Sequence, residues 1–159
     1  MKLVTSQLVN ELVDKARMTD RLRTNYNIHE SPSDPVQRLF IAACRSSYFR
    51  PHRHPGKSEF ALIIRGLFDV LLFDNDGALT ERIAAGPETD VLALEIPADI
   101  YHTWIPAAEQ SVFFEVKQGP YDAATSLDFA PWSPPEGSAS VKDFQAKLAA
   151  LNVGDRIQF

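Results

Sequence analysis

Two histidines and a glutamate lie close together in the segment PHRHPGKSEFALIIRG (residues 51–66). One residue separates His52 from His54, and Glu59 follows five residues after the second histidine. In an extended strand, residues i and i+2 point to the same side, so the two imidazoles are expected to project next to each other. Two imidazoles and a carboxylate that converge on one point either repel each other's protons or share a metal ion. The rest of the chain is needed to choose between these interpretations.

A second group of polar residues alternates with apolar ones in the segment DRLRTNYNIHE (residues 20–30). This spacing predicts a strand, although asparagine is depleted in strands. Every second residue contributes to one polar face: Arg21, Arg23, Asn25, Asn27 and His29. If this face lies in solvent, as one side of an antiparallel sheet often does, these residues have no chemical role. If it turns inward, Asn25 and Asn27 are candidates to bind a polar ligand, and His29 is a candidate general acid or base.

The apolar segments of the chain are short and are separated by turn residues. Five of them predict strands: VQRLFIAAC, EFALIIRG, LFDVLLFD, VLALEI and SVFFEVKQ. The pair Asp76-Gly77 lies after the third of these segments and predicts a hairpin. Many short strands with no helices between them predict an all-β fold, either an antiparallel sandwich or a barrel.

Helical spacing of apolar residues occurs near the two ends of the chain. It predicts one short helix at residues 5–18 and another at residues 140–151. The segment at residues 130–139 is rich in proline and serine and is expected to be a surface loop. A length of 159 residues suits one domain. We therefore predict a single domain over residues 1–159, with its β-barrel at about residues 20–119.

The composition argues against several classes of partner and site. The formal net charge is −5 and there is no basic cluster, so neither nucleic acid nor an anionic membrane is an expected partner. The longest apolar stretches are far short of the ~20 residues that span a bilayer. The first residues lack the apolar segment of a signal peptide. Cys44 is the single cysteine, which excludes an internal disulfide and a thiolate metal cluster. These features predict a cytoplasmic protein.

The segment that contains the histidine pair resembles the first motif of the cupin superfamily. That motif has two histidines one residue apart, a glutamate at this separation and a glycine that closes the strand, which is Gly66 here. Further along, PADIYHTW resembles the second cupin motif, in which a proline, a small residue and a histidine follow in that order, and the histidine is His102. Asp99 stands where glycine is usual, and Pro106 stands where asparagine is usual.

The cupin resemblance implies a fold and a set of metal ligands. The fold is a small antiparallel β-barrel, or jelly roll. The ligands are His52, His54, Glu59 and His102, and together they bind one divalent transition metal. Three neutral imidazoles and one carboxylate suit such an ion, and a set of four is compatible with open positions for a substrate. Nickel, iron, manganese, cobalt, copper and zinc all accept these ligand types, so the sequence does not identify the metal.

Most of the chain, from its N-terminal helix to about Gly119, is similar to the small cupin-fold metalloproteins of the WbuC family. The similarity rests on the segments RLRTNYNIHESPSDPVQR, SYFRPHRHPGKSE and IPADIYHTW. The first of these is not part of the general cupin motif, which makes the resemblance more specific. The WbuC family takes its name from polysaccharide (O-antigen) gene clusters. The resemblance therefore implies a small polar substrate such as a carbohydrate, and analogy with small cupins implies a homodimer.

Three functions are compatible with these features. The first is a metal-dependent isomerase or epimerase of a carbohydrate or sugar nucleotide, in which His29 or Tyr101 moves the proton. The second is a metal-dependent dioxygenase of a small organic substrate. The third is a non-catalytic cupin that binds or senses a small ligand.

Further candidates for substrate binding lie on strands that are expected to reach the barrel interior. Trp104 shares the face of His102 and is either a wall of the pocket or a core aromatic. Arg38 and Glu115 lie on other strands and either reach the cavity or remain surface charges. The full set of candidate substrate-binding residues is Asn25, Asn27, Arg38, Trp104 and Glu115.

Overall fold

The computed structural model describes residues 1–157, which contain ten short strands and two helices. In chain order, the strands are β1 (Arg23–Asn27), β2 (Val36–Cys44), β3 (His52–Arg53), β4 (Glu59–Arg65), β5 (Phe68–Phe73), β6 (Leu79–Ala85), β7 (Ala93–Ile96), β8 (Tyr101–Pro106), β9 (Gln110–Gln118) and β10 (Asp128–Phe129). Helix α1 spans Ser6–Arg17, and helix α2 spans Val141–Ala150. The predicted all-β class, with one short helix near each end, is confirmed.

The strands form two antiparallel sheets of five strands each. The order in the first sheet is β1-β2-β9-β4-β7, and the order in the second is β10-β3-β8-β5-β6. Strands that follow each other in the chain often lie in different sheets, as β8 and β9 do. The two sheets pack on a shared apolar core, which is the jelly-roll arrangement expected from the sequence.

Aromatic side chains from both sheets meet in this core. The ring of Trp104 in β8 stacks on that of Phe113 in β9, with centroids 4.4 Å apart and planes 13° apart. Phe68 of β5 contacts both rings edge-on. All three side chains are buried, and each buried phenylalanine contributes about 1.5–3 kcal/mol to folding. These contacts hold β8, the strand that carries His102, against the opposite sheet.

Helix α1 covers the outer face of the first sheet near β1 and β2. Its buried residues pack on apolar side chains of the sheet, and this cluster comprises Val9, Leu12, Val13, Ala16, Phe40, Ala42 and Val112. Thr5 caps the helix, because its hydroxyl accepts a hydrogen bond from the backbone nitrogen of Leu8 at 3.2 Å. Tyr26 of β1 packs against this cluster. Because side chains alternate along a strand, the polar residues of β1 lie on the side that α1 leaves open.

Helix α2 covers the outer face of the second sheet. Phe144 and Leu148 belong to one apolar cluster with Phe73 and Tyr101. Tyr101 therefore faces α2, whereas the next residue, His102, points to the opposite side of β8. Within residues 1–157, no helix combines the length and the apolar character that crossing a membrane requires.

The predicted hairpin at Asp76-Gly77 is confirmed and joins β5 to β6. Gly77 has φ of 82°, a left-handed conformation that glycine adopts without a steric penalty. The carboxylate of Asp74 accepts hydrogen bonds from the backbone nitrogens of Asp76 at 2.9 Å and Ala78 at 2.8 Å. These contacts satisfy backbone groups that the tight turn would otherwise leave unpaired.

Candidate metal centre and adjoining cavities

Three histidines and one glutamate come together between the two sheets. His52 lies in β3 and pairs directly with His102 in β8, while His54 follows β3 and Glu59 begins β4. One potential ligand atom from each of these four residues lies within 4.8 Å of the others. His54, Glu59 and His102 are buried, and His52 is partly buried. The three residues of the first motif and the sequence-distant His102 therefore offer their donor atoms to one point.

Backbone carbonyl groups orient all three imidazoles. Each Nδ1 donates a hydrogen bond: from His52 to Arg50 O at 2.9 Å, from His54 to Ser126 O at 2.8 Å, and from His102 to Ile100 O at 2.9 Å. A carbonyl oxygen only accepts, so each Nδ1 carries the hydrogen. The lone pair of each ring then lies on Nε2, which is the arrangement that orients histidines in metal sites.

Two potential ligand atoms of this cluster have no hydrogen-bonding partner among the described residues. Glu59 Oε1 and His102 Nε2 are both buried without one. Glu59 Oε2 lies 2.6 Å from His54 Nε2, and both atoms are acceptors when Nδ1 of His54 carries the hydrogen. Two acceptors this close require a proton or a metal ion at the contact. Leaving buried polar atoms unpaired costs about 1–3 kcal/mol each, so the donor set fits a bound cation.

The electrostatic surroundings favour the ligand forms of these side chains. Burial lowers the pKa of His52 and of His102, so their imidazoles are neutral and available as donors. Burial raises the pKa of Glu59, but its contact with His54 and the positive charge of Lys117 are among the causes that lower it more. The net pKa of Glu59 is below the ordinary value, so the group is a carboxylate. Neutral imidazoles and an ionised carboxylate are the forms that bind metals.

The two departures from the usual second motif have a structural explanation. Asp99 has φ of 64°, the left-handed conformation in which glycine is common and which aspartate tolerates better than most residues. Its carboxylate accepts a hydrogen bond from the backbone nitrogen of Gly56 at 3.1 Å, and its own backbone nitrogen donates to His54 O at 3.2 Å. Asp99 thus links the loops that lead to His54 and His102. Pro106 lies at the far end of β8, away from the cluster.

Gly66, at the end of β4, is required by close packing. It has φ of 72°, and a Cβ atom there would lie 2.2 Å from the backbone oxygen of Gln110. No side chain fits at that distance. The glycine of the first motif therefore allows β4 to turn away next to β9.

Two adjacent cavities lie beside the cluster. The smaller has a volume of about 170 Å³ and is lined by residues that include His52 and Glu59. The larger has a volume of about 380 Å³ and is lined by the polar side of β1, with Gln37 of β2. Five residues line both cavities: Arg21, Arg23, Ile41, Phe49 and Lys117. A ligand that fills both would extend from the four-residue cluster to β1.

The polar face predicted for residues 20–30 lines the larger cavity. Asn25, Asn27 and His29 all contribute to its wall. Asn25 and Asn27 are exposed, and the side-chain amide of Asn25 donates to that of Asn27 at 2.7 Å. His29 is buried, and its Nδ1 lies 3.0 Å from both the backbone nitrogen and the backbone oxygen of Arg38. The Nε2 atom of His29 is therefore the ring nitrogen that is left for a ligand.

Trp104 and Glu115 both line the smaller cavity. Trp104 belongs to the aromatic core as well, so the two roles considered for it coincide. Glu115 is buried, and its Oε1 lies 2.5 Å from Nζ of Lys117. Burial, together with the nearby negative charge of Glu59, raises the pKa of Glu115. An acidic and a basic side chain therefore share one wall of this cavity.

Comparison with known proteins identifies the family. Residues 4–85, which are 82 of the 159 residues, match the family model described as "Domain of unknown function (DUF6016)". The chain belongs to the DUF6016 family. It has no significant match among curated proteins.

Several solved structures resemble this DUF6016 protein. The capsular polysaccharide assembling protein CapF from Staphylococcus aureus has a TM-score of 0.60 at 16% identity, over 70% of this chain and 32% of that one. The DMSP lyase DddQ from Ruegeria pomeroyi DSS-3 has a TM-score of 0.55 at 19% identity, over 77% and 57%. KdgF from Halomonas sp. has a TM-score of 0.50 at 17% identity, over 64% and 82%.

These structural similarities show that the DUF6016 chain has a cupin fold. The chain spans less than two thirds of CapF and of DddQ. At such low sequence identities, a shared fold does not carry an activity from one protein to another.

Two candidate residues of the DUF6016 protein do not reach either cavity. The ring of Tyr101 packs under α2, and its hydroxyl lies 3.4 Å from a carboxylate oxygen of Asp128. Arg38 is exposed and lies on the opposite face of β2 from Leu39, which lines the larger cavity. Both departures follow from strand alternation, because each residue is next to one that points inward. The structure therefore does not bring Tyr101 or Arg38 to the site.

Other cavity residues were not anticipated from the sequence. Lys117 lies in β9 two residues after Glu115, so both side chains lie on one face of the strand. Its Nζ is 4.0 Å from Oε2 of Glu59. Burial lowers the pKa of Lys117, but Glu115 and Glu59 raise it more, and the net pKa is above the ordinary value. The alternation of Glu115 and Lys117 in SVFFEVKQ was the available signal for this residue.

Proposed function

We propose that this protein is a metal-dependent cupin enzyme that acts on a small polar substrate. One divalent transition metal is held by His52, His54, Glu59 and His102. The observation that carries this proposal is that three imidazoles and one carboxylate converge on one point. Two of their ligand atoms, Glu59 Oε1 and His102 Nε2, are buried without a hydrogen-bonding partner. The backbone carbonyls that bind each Nδ1 orient the rings before any ion arrives.

The chain supplies the groups that bind and orient the substrate. When bound, a divalent ion polarises a carbonyl oxygen or stabilises an enolate. Trp104 forms an apolar wall that excludes water from the smaller cavity. Lys117 places a positive charge on that wall, where it attracts an anionic group. Asn25 and Asn27 offer amide donors and acceptors to hydroxyl groups in the larger cavity.

We propose His29 as the residue that moves a proton. Its Nδ1 is held by the backbone of Arg38, and its ring lines the larger cavity. Imidazole accepts and releases protons near neutral pH, which suits a general acid or base. Proton removal and return at a carbon next to a carbonyl is the step of an isomerase or epimerase. Tyr101 has no part in this proposal because it faces α2.

A carbohydrate or sugar nucleotide is the proposed substrate class. Support comes from the polar lining of the larger cavity, from structural similarity to a capsular polysaccharide assembling protein, and from the sequence resemblance to the WbuC family. The substrate would be related to polysaccharide biosynthesis. The homodimer expected by analogy stays a prediction, which light scattering of the purified protein tests.

Metal content of matched glutamate variants tests the proposal. Glu59→Gln removes the carboxylate of the cluster, while Glu81→Gln makes the same change at an exposed position in β6. Protein purified without added metal is expected to contain about one transition-metal ion per chain in the wild type and in Glu81→Gln. Glu59→Gln is expected to contain far less. Equal metal content in all three proteins would refute the ligand assignment.

A second measurement separates the possible reactions. Deuterium from solvent is expected to enter the sugar when candidate substrates are incubated with the metal-loaded protein, because an isomerase or epimerase exchanges a carbon-bound proton. Oxygen consumption without deuterium incorporation would instead identify a dioxygenase. Tight binding of the sugar with neither signal would identify a non-catalytic binding protein.

A further inference from the structure

Arg21 and Arg23 converge on one carboxylate, that of Glu136, at the boundary between the two cavities. Arg21 donates from Nε to Oε2 at 2.8 Å and from Nη2 to Oε1 at 3.1 Å. Arg23 donates from Nη2 to the same Oε1. Two parallel hydrogen bonds from a guanidinium are the geometry by which arginine recognises a carboxylate. The pair thus forms a carboxylate site that a side chain of the protein fills.

Arg23 is held rigidly in this site. Only 11% of its side chain is exposed, and its guanidinium lies 4.6 Å from the centroid of the Phe49 ring. It also donates to the backbone oxygen of Tyr48. A guanidinium buried to this extent requires an anion, because an unpaired buried charge is costly. Arg21 is more open, with 61% of its side chain exposed, so an anion can approach from solvent.

The walls of the smaller cavity carry an excess of positive charge. Four cationic side chains line it, against three carboxylic ones, and Glu136 is one of the three. If Glu136 moved away, four cationic groups would face two acidic ones. An incoming carboxylate would restore the balance that Glu136 provides. Exchange of one carboxylate for another therefore leaves the charge of the site unchanged.

The loop at residues 130–139 does not depend on Glu136 for its position. Tyr48 donates from its hydroxyl to Pro134 O at 3.0 Å, and Arg50 donates to Ser133 Oγ at 3.1 Å and to Ser133 O at 3.0 Å. Glu136 itself is exposed, with 32% of its side chain accessible to solvent. The side chain of Glu136 therefore has an open path to solvent while the rest of the loop stays attached.

We propose that Arg21 and Arg23 bind a carboxylate of the substrate, and that Glu136 occupies this site when no substrate is bound. This inference rests on the proposed function, because it places the carboxylate subsite next to the proposed metal. The substrate class is a small hydroxylated carboxylic acid, such as a sugar acid. Its carboxylate binds between the two arginines, and its hydroxyl groups reach Asn25 and Asn27 in the larger cavity.

Calorimetric titration with two matched sugars tests this proposal. D-Glucuronate carries a carboxylate where D-glucose carries a neutral hydroxymethyl group. The variant Glu136→Gln removes the internal competitor and is expected to bind D-glucuronate about tenfold more tightly than the wild type. Glu88→Gln makes the same charge change at an exposed residue outside both cavities and is expected to match the wild type. Arg21→Gln is expected to weaken D-glucuronate binding about tenfold. Binding of D-glucose is expected to be the same in all four proteins.

Several outcomes would overturn the carboxylate subsite. These are equal D-glucuronate affinity in the wild type and in Glu136→Gln, no D-glucuronate binding by Glu136→Gln, or an equal gain in D-glucose affinity. Loss of stability in Glu136→Gln with unchanged affinity would show that the residue only fastens the loop. Metal content, measured on the same samples, separates this result from the proposed function. A protein that binds D-glucuronate through Arg21 without retaining metal would refute the metal site alone.

Discussion

Replacing His54 with alanine is expected to abolish the thermal stabilisation of the protein by a divalent metal ion. His54 is buried, and both of its ring nitrogens are engaged: Nδ1 with Ser126 O at 2.8 Å and Nε2 with Glu59 Oε2 at 2.6 Å. The substitution removes one metal ligand and leaves the buried carbonyl oxygen of Ser126 without its partner. An unpaired buried acceptor costs about 1–3 kcal/mol, so the metal-free variant is also expected to be less stable than the wild type.

The size of the metal effect follows from binding linkage. A ligand present at about 100 times its dissociation constant stabilises the folded state by about 2.7 kcal/mol. For a protein of this size, each kcal/mol raises Tm by roughly 2–4 °C. The wild type is therefore expected to gain about 5–11 °C on addition of metal, measured by differential scanning calorimetry, and His54→Ala is expected to gain almost nothing.

His29→Ala is the matched control for this experiment, because His29 is the one histidine outside the cluster. It is expected to keep the full metal-induced rise in Tm. If His54→Ala does not fold, His54→Gln, which retains more of the side-chain volume, carries the same expectation. A metal-induced rise in His54→Ala as large as that of the wild type would show that His54 is not a ligand.

Three further predictions concern packing, proton transfer and pH. Gly66→Ala is expected to lower the free energy of unfolding, measured by chemical denaturation, by about 3 kcal/mol or more, because the new Cβ would lie 2.2 Å from Gln110 O. A loss below about 0.5 kcal/mol would contradict this packing. His29→Gln is expected to stop solvent deuterium incorporation while Tyr101→Phe preserves it, and loss in Tyr101→Phe alone would contradict the proton-transfer assignment. Burial raises the pKa of Glu136, but Arg21 and Arg23 lower it more, so its folded-state pKa is below the unfolded value of 4.5. The stability advantage of the wild type over Glu136→Gln is therefore expected to be complete above about pH 4.5 and to shrink as pH falls through the folded pKa, and an advantage that grows towards acid pH would reverse this reasoning.

The cupin motif brought His52, His54, Glu59 and His102 into one prediction, and the structure places them together. The local reason is that a motif of this kind encodes both the strand face and the turn that follows it. The β-class was equally accessible, because short apolar segments such as VQRLFIAAC have the length and composition of single strands, and this segment coincides with β2.

Side-chain direction and long-range contacts were harder to predict. Tyr101 was considered as an alternative to His29 for moving the proton, but it is next to the inward-facing His102, and neighbouring residues in a strand face opposite sides. The same rule places Arg38 outside the cavity. The contact between Glu136 and Arg21 could not be predicted from local spacing, because the two residues are 115 positions apart. Glu136 lies in a loop, and the path of a loop follows no regular periodicity. Such contacts depend on the packed fold rather than on any local pattern.

The position of β1 at the edge of its sheet gives the two halves of the site unequal mechanical support. β1 is hydrogen-bonded to β2 on one side, and within the described chain no strand pairs with its other side. The strands that carry His102 and Glu59, β8 and β4, each lie between two neighbours. A brief detachment of the Asn25–Asn27 end of β1, beyond the anchored Arg23, would therefore widen the entrance without disturbing the imidazoles. The same architecture can admit a bulky molecule at one end and keep an ion firmly enclosed at the other.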